Sequence, residues 1–216
     1  MNHNQEDITF LSLFGRMAEF FVIFLLLPAF FYLAPPRLPK LPALLLVTLY
    51  CYLSLRRQGK IDWRIRYTSQ EIKARLRPLA MRCAVVFILL YLLARYLAVD
   101  LFVLPKTRPW LWLLIMLLYP LVSAWPQELV YRAFFFNRYG PLFSGWMLAA
   151  ASAVSFAFLH IIYDNATALA LSLAGGILFS WQYQRRGSLF WVGLEHALYG
   201  MCVFTVGLGR FFYEGF

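Results

Sequence analysis

Long apolar runs separated by short polar segments extend along the whole chain. The clearest runs cover residues 20–33, 84–93 and 111–119. A helix of about 20 apolar residues crosses the hydrocarbon core of a bilayer, and the sequence lacks the alternating pattern of a membrane β-barrel. The pattern therefore predicts an all-α, polytopic membrane helix bundle of about seven transmembrane helices. We expect them near residues 10–34, 41–55, 80–103, 110–137, 145–162, 167–184 and 189–209.

The composition agrees with a membrane environment. Hydrophobic residues make up 62% of the 216 residues and charged residues only 14%, which is more apolar surface than a soluble domain of this size buries. Membrane lipid is therefore an expected partner. Residues 1–9 carry Glu6 and Asp7 instead of a basic flank, so no removable signal peptide is expected. Cys51, Cys83 and Cys202 have no paired spacing and are interpreted as ordinary membrane residues.

The net charge of +10 is a topology signal, because the basic residues cluster between apolar segments and not along one patterned face. No nucleic-acid partner is expected. A basic linker belongs on the cytoplasmic side, which predicts a cytoplasmic N-terminus, a C-terminus outside, and Arg138 and the Arg185–Arg186 turn inside. The linker residues are Arg56, Arg57, Lys60, Arg64, Arg66, Lys73, Arg75 and Arg77. Four residues predicted to lie outside run against this orientation: Arg37, Lys40, Lys106 and Arg108.

Two regions follow from this division of the chain. Residues 1–109 are expected to form N-terminal transmembrane helices with a basic cytoplasmic linker around 56–78, and residues 110–216 the remaining helices of the bundle. Within the linker, residues 69–77 are interpreted either as a short amphipathic helix on the headgroups or as a solvated loop.

Ionisable side chains inside predicted spans are costly and usually face the bundle interior, so each is a functional hypothesis. Arg16 and Glu19 lie three residues apart near a span end, where either a helix-surface ion pair or snorkelling of the side chains to the interface explains them. Arg95 is set aside as well. The remaining candidates are Glu128, Arg132, His160, Glu195 and His196.

Glu128 and Arg132 are four residues apart, so they share a helix face and are spaced to form an ion pair. Pro126 fits the first turn of a helix, which would put Glu128 near a helix N-terminus that favours a carboxylate. The alternative is a buried pair with a purely structural role. His160 and His196 have a similar alternative as interhelical hydrogen-bonding residues. Their occurrence on three successive predicted helices favours a single polar cluster.

These segments resemble the CPBP family of intramembrane proteases, which includes the type II CAAX prenyl proteases and bacterial self-immunity homologues. The resemblance covers about residues 111–209, and it implies that residues 110–216 form a CPBP-like catalytic core. The family motif Glu-Glu-x-x-x-Arg is matched from Gln127 to Arg132, and Phe-x-x-x-His is matched from Phe156 to His160. The third motif, His followed four residues later by Asn or a small or hydrophobic residue, is matched by His196 and Gly200.

The resemblance implies an intramembrane endopeptidase of the glutamic type, acting on a peptide or protein segment in the membrane or at a C-terminus. In the family, the first Glu of the pair and the second-motif His activate water, and the third-motif His and Asn stabilise the oxyanion. Here Gln127 occupies the position of that Glu, so the base is expected to be Glu128 with His160. His196 would stabilise the oxyanion, whereas Gly200 offers no side-chain donor.

Three other interpretations remain open. Glu128, His160 and His196 could be zinc ligands of a metalloprotease, although few carboxylates beyond Glu195 are present to orient the imidazoles. This is the weaker mechanism because no His-Glu-x-x-His helix is present, and neither a metal nor another cofactor is expected. A non-catalytic, immunity-like protein could bind a peptide or partner in the same place. Proton-coupled transport uses similar residues, but no paired halves were found.

Overall fold

The computed structural model describes residues 13–34, 38–60 and 68–212. These residues form eight helices and no strand, so the fold is an all-α membrane helix bundle. The helices are α1 (Leu13–Leu33), α2 (Lys40–Arg57), α3 (Ser69–Tyr96), α4 (Val103–Thr107), α5 (Pro109–Tyr139), α6 (Trp146–Tyr163), α7 (Ala166–Arg186) and α8 (Leu189–Val206). A short 3₁₀ turn follows at Leu208–Phe211.

Helices occupy all seven positions expected from the hydrophobic pattern. Five of them, α1, α3, α5, α6 and α8, are long and apolar enough to cross a membrane. The other two, α2 with 18 residues and α7 with 21, carry basic residues in their last turns. The chain is therefore a multi-pass membrane protein.

Helix α3 differs from the helix predicted near residues 80–103. It begins at Ser69, where the Thr68 hydroxyl accepts a hydrogen bond from the Glu71 amide at 3.2 Å and the Glu71 carboxylate accepts one from the Thr68 amide at 2.8 Å. This capping box starts the helix, so residues 69–77 are its first turns and neither a separate helix nor a loop. It ends at Tyr96, because Ala98 and Phe102 have positive φ and break the helix before α4.

Helix α5 carries the first motif, and it is continuous through Pro120 and Pro126. A proline has no amide hydrogen for the helical ladder, and α5 adapts by π-helical turns at Pro120–Ala124 and Leu129–Phe134. Pro126 lies between these turns. The expectation that Glu128 lies near a helix N-terminus is therefore wrong, because the helix began 19 positions earlier, at Pro109.

Close packing of α6 on α7 builds one wall of the bundle. A Cβ atom on Gly176 would lie 2.9 Å from the Ala153 carbonyl oxygen, so only glycine allows this approach of the two backbones. Helix α8 packs against α3, α5 and α7. The bundle thus surrounds the three motif segments on α5, α6 and α8 with α3 and α7.

Polar contacts link the N-terminal helices to the rest of the bundle. The Glu19 carboxylate accepts hydrogen bonds from Arg138 at 2.9 Å, Tyr139 at 2.9 Å and Tyr50 at 2.7 Å. The expected ion pair with Arg16 is thus replaced by a contact with α5. At the opposite ends, Tyr32 donates to Asp164 at 3.1 Å and Lys40 donates to the Ile162 carbonyl at 3.3 Å.

Several sequence-based expectations concern residues outside the described part of the chain. They include the first nine residues, the start of the first predicted span, the last four residues, and Glu6, Asp7, Arg37, Arg64 and Arg66. The side of the membrane on which each end of the bundle lies stays a prediction.

Candidate active site

A cavity of about 330 Å³ lies between α3, α5, α6, α7 and α8. Its α3 and α7 walls are mainly apolar, with residues such as Leu89, Leu90 and Leu178. Polar side chains are contributed chiefly by α5, α6 and α8: Tyr119, Ser123, Gln127, His160 and His196. A mostly apolar cavity with a few converging polar groups is typical of a binding or catalytic site.

His196 and Glu128 join two of the predicted motif segments. The His196 Nδ1 atom lies 2.8 Å from Glu128 Oε1. A carboxylate only accepts hydrogen bonds, so Nδ1 carries the hydrogen and donates it. This contact leaves Nε2 of His196 as the ring nitrogen available to a ligand in the cavity.

Arg132 contacts the second carboxylate oxygen of Glu128, the one that His196 does not contact. Its Nε atom lies 3.2 Å from Glu128 Oε2, and both side chains are fully buried. The two atoms are not aligned for a hydrogen bond, so the contact is an ion pair. Arg132 also donates to the Ser152 hydroxyl at 3.3 Å, and its guanidinium lies 4.9 Å from the centre of the Phe156 ring, a distance suited to a cation–π contact.

Glu128 itself is not among the residues that line the cavity, whereas its neighbour Gln127 is. The Gln127 side-chain amide donates to the Ser123 hydroxyl at 3.1 Å. Consecutive helical residues point about 100° apart, so the two side chains of the first motif face different surroundings. Gln127 faces the cavity and Glu128 faces His196 and Arg132.

His160 comes from the last turn of α6, where the chain tightens into a 3₁₀ turn. Its Nδ1 atom lies 2.8 Å from the Phe156 carbonyl oxygen, which accepts its hydrogen. The Phe156 ring lies 4.8 Å from the His160 ring and 5.6 Å from the His196 ring, between centroids. Phe156 thus separates and orients the two imidazoles, both of which line the cavity.

The structure brings Glu128, Arg132, Phe156, His160 and His196 together, but it directs Glu195 elsewhere. The Glu195 carboxylate accepts hydrogen bonds from Arg82 at 2.7 and 3.0 Å and one from the Tyr199 hydroxyl. Glu195 therefore links α8 to α3 and does not orient either imidazole. Arg82 was overlooked in the sequence, although its place inside a predicted span was a usable signal.

Three further residues of the site have no sequence signal that singles them out. Tyr119 lines the cavity next to Gly200, Ser123 accepts from Gln127, and the Phe179 ring stacks on His196 at 4.7 Å between centroids. A methyl group on residue 200 would overlap the Tyr119 hydroxyl and ring. Gly200 therefore provides the space that the tyrosine occupies.

The zinc interpretation needs three ligands that converge on one point. Within the described part of the chain, no group of three or more His, Cys, Asp or Glu side chains is arranged to hold a metal ion. Glu128 Oε1 and His196 Nδ1 contact each other, so those two atoms are not directed at a shared ion. The geometry favours an acid–base site over a three-ligand zinc site.

Comparison with known proteins gives one match. Residues 109–202 match the family model described as type II CAAX prenyl endopeptidase Rce1-like, a stretch that starts at α5, covers all three motifs and ends in α8. No curated protein and no solved structure matches the chain. The resemblance found in the motifs is thus confirmed over residues 109–202, and this part of the chain is similar to the type II CAAX prenyl endopeptidases.

Proposed function

We propose that this protein is an intramembrane endopeptidase that hydrolyses a peptide bond in a membrane-associated or C-terminal segment. One observation carries the proposal. Two imidazoles line a largely apolar cavity, and each has its Nδ1 hydrogen bonded to an acceptor, Glu128 for His196 and the Phe156 carbonyl for His160. Both Nε2 atoms are therefore unprotonated acceptors, which is the state that takes a proton from water.

His196 is the general base in this proposal, and Glu128 acts through it. A carboxylate on Nδ1 holds the imidazole in the required tautomer and stabilises the imidazolium that forms. Charge balance supports a neutral resting His196, because Arg132 already neutralises Glu128 and a further positive charge would be costly in a dry interior. These roles differ from the sequence-based expectation, in which Glu128 contacts water and His196 only stabilises the oxyanion.

His160 orients the same water. Its Nε2 accepts the second hydrogen of the water, so that a water oxygen lone pair is directed at the peptide carbonyl carbon. Proximity and orientation of this kind lower the barrier without a change in chemistry. After the C–N bond breaks, the proton taken by His196 passes to the leaving amine, which returns the site to its starting state.

The substrate proposal follows from the cavity walls. Leucines and valines of α3, α7 and α8 line the cavity, so an extended apolar peptide fits it better than a charged one. Because the cavity lies within helices able to cross a membrane, the substrate would reach it from the bilayer or as a peptide end. A lipid-modified C-terminus is one such substrate.

The direct test is comparative proteomics of membrane-protein termini. Cells with the wild-type protein are compared with cells carrying His196→Ala, and His3→Ala serves as a matched histidine control. We expect new termini in wild type and in the control that are absent with His196→Ala, at equal amounts of folded protein. Identical termini in all three strains would overturn the proposal.

A non-catalytic binding role is favoured by one specific observation. Gln127, which cannot take up a proton, faces the cavity where the family has the residue assigned to activate water. In that case a peptide would bind in the same cavity without cleavage. The biological activity would then survive Glu128→Gln, and no new termini would depend on His196.

The orientation in the membrane is also a proposal. The basic linker favours a cytoplasmic N-terminus, with the C-terminus outside. The Glu19–Arg138 and Tyr32–Asp164 contacts support the relative arrangement of the helix ends. Labelling of single cysteines placed at Lys60 and Asp164, with a reagent that does not cross the membrane, tests it. Labelling of Lys60→Cys from outside would reverse the assignment.

A further inference from the structure

One face of α5 presents a row of polar side chains to the cavity. Tyr119, Ser123 and Gln127 follow each other at intervals of four residues and all line the cavity. Ser123 and Gln127 are hydrogen bonded to each other. The Tyr119 hydroxyl has no hydrogen-bond partner among the described residues, yet it is not fully enclosed by protein. A phenol hydroxyl inside a largely apolar cavity is costly unless a ligand pairs with it.

The position of the Tyr119 hydroxyl relates it to the third motif. It occupies the space that a side chain on residue 200 would need, since a methyl group there would overlap the hydroxyl and two ring carbons. The Tyr119 ring is also 6.2 Å from the His196 ring, edge to face, and 5.6 Å from the Phe204 ring, between centroids. A donor on α5 therefore reaches the place that α8 leaves empty by having glycine.

We propose that Tyr119 is a catalytic residue whose hydroxyl donates the hydrogen bond that stabilises the oxyanion. This inference rests on the proposed function, because an oxyanion forms only if a peptide bond is attacked. It assigns a side-chain hydrogen-bond donor to the oxyanion, which Gly200 cannot provide. It is also consistent with Gln127 and Gly200, because the His196–Glu128 pair does the work that the family motif gives to a carboxylate at position 127, and the Tyr119 hydroxyl supplies the donor that Gly200 lacks.

The step balances with the groups in the site. Water adds to the carbonyl carbon, its proton moves to His196 Nε2, and the carbonyl π electrons move to the oxygen. That oxyanion accepts a hydrogen bond from Tyr119, which keeps its proton. When the tetrahedral intermediate collapses, the C–N bond breaks and the amine takes the proton from His196. A neutral donor suits this scheme, because both imidazoles enter the step as acceptors.

A packing role for Tyr119 makes a different prediction. The ring fills the gap beside Gly200 and contacts His196 and Phe204, and phenylalanine would fill it as well. The hydroxyl bonds to no described protein group, so its loss should leave the folded protein unchanged. Tyr119→Phe therefore separates the two roles.

The experiment measures the initial rate at which each His196-dependent terminus appears after induction of the full-length protein in cells. Wild type is compared with Tyr119→Phe, and Tyr96→Phe, an exposed tyrosine at the end of α3, serves as the matched control. Loss of one oxyanion donor lowers kcat by about 10²–10³-fold, so we expect a fall of that order for Tyr119→Phe only. The melting temperatures in detergent should be equal for all three proteins.

A rescue variant strengthens the test. Tyr119→Ala removes both ring and hydroxyl, and the double variant Tyr119→Ala with Gly200→Asn restores a donor from α8 into the vacated space. We expect the double variant to cleave at least about tenfold faster than Tyr119→Ala. This gain is a part of the rate factor that one oxyanion donor contributes. A residue that only packs would not be replaced by an amide on the opposite helix.

The outcomes distinguish a failure of the proposed endopeptidase function from a failure of the proposed role of Tyr119. If wild type and His196→Ala give the same termini, the proposed function fails and the role of Tyr119 fails with it. If the termini depend on His196 but Tyr119→Phe produces them at the wild-type rate, the endopeptidase stands and the inference about Tyr119 is overturned.

Discussion

Two glutamate–arginine ion pairs involve α5, namely Glu19–Arg138 and Glu128–Arg132. They differ in how many hydrogen bonds the carboxylate accepts. Glu19 of α1 accepts four hydrogen bonds, two from Arg138 and one each from Tyr50 and Tyr139. Glu128 accepts one hydrogen bond, from His196, and its contact with Arg132 is an ion pair without alignment. Arg132 Nη2 has no hydrogen-bond partner among the described residues.

Under the proposed function, the difference separates a structural ion pair from an ion pair that assists the reaction. A saturated carboxylate holds α1, α2 and α5 together and has no acceptor capacity left for a reaction. Glu128 accepts fewer hydrogen bonds, and its partner is the His196 imidazole, which lines the cavity. A positive charge on His196 therefore interacts directly with the Glu128 carboxylate. Buried polar groups that remain partly satisfied are often functional.

The largest effect is expected from Glu128→Gln. The amide of glutamine donates to His196 Nδ1, which moves the imidazole hydrogen to Nε2 and removes the base. A wrong tautomer of this kind lowers kcat by about 10⁴-fold in a related arrangement, so we expect a loss of at least about 10³-fold in the His196-dependent termini. A rate within tenfold of wild type would show that Glu128 does not act through His196.

Glu19→Gln tests whether the Glu19–Arg138 pair has only a structural role. Breaking a buried ion pair costs about 3–5 kcal/mol, and less is expected here because the Arg138 side chain is 29% exposed. We expect a loss of about 2 kcal/mol in the free energy of unfolding in detergent, with cleavage per folded molecule within twofold of wild type. A loss of activity without a loss of stability would show that the Glu19 pair belongs to the site.

Gln127→Glu sharpens the comparison by adding a carboxylate that faces the cavity. If the His196–Glu128 pair is already the base, the cleavage rate should change by less than about tenfold, which corresponds to 1.4 kcal/mol in the barrier. Termini that appear only with Gln127→Glu would instead support the non-catalytic role of the wild-type protein. The same proteomic comparison measures both results.

The smallest effect is expected from metal removal. Because the described His, Cys, Asp and Glu side chains include no group of three arranged for a metal, treatment of purified protein with a chelator should leave its cleavage rate within twofold. Metal analysis of the same sample should give substoichiometric zinc. Stoichiometric zinc, together with a rate that falls on chelation and returns on zinc addition, would restore the metalloprotease interpretation.

Much of the site could be predicted because its signals are local. The motif on α5 places Glu128 and Arg132 one helical turn apart, and the structure brings them within 3.2 Å. His160 and His196 were suspected because histidine is costly in an apolar span. The partner of Glu19 could not be predicted, since Arg138 lies 119 positions along the chain and only packing decides which helices meet.

The sequence by itself determined the class of the protein and the motif residues of its candidate site. Run length and hydrophobicity are properties of neighbouring residues, so they specify membrane helices without knowledge of contacts. The order of three motifs was sufficient to indicate the resemblance to CAAX-type proteases over residues 109–202. The tertiary structure alone decided which side chains face the cavity. It turned Gln127 and not Glu128 towards it, and it put Tyr119 beside Gly200, because those relations depend on helix rotation and on the space left by a distant residue.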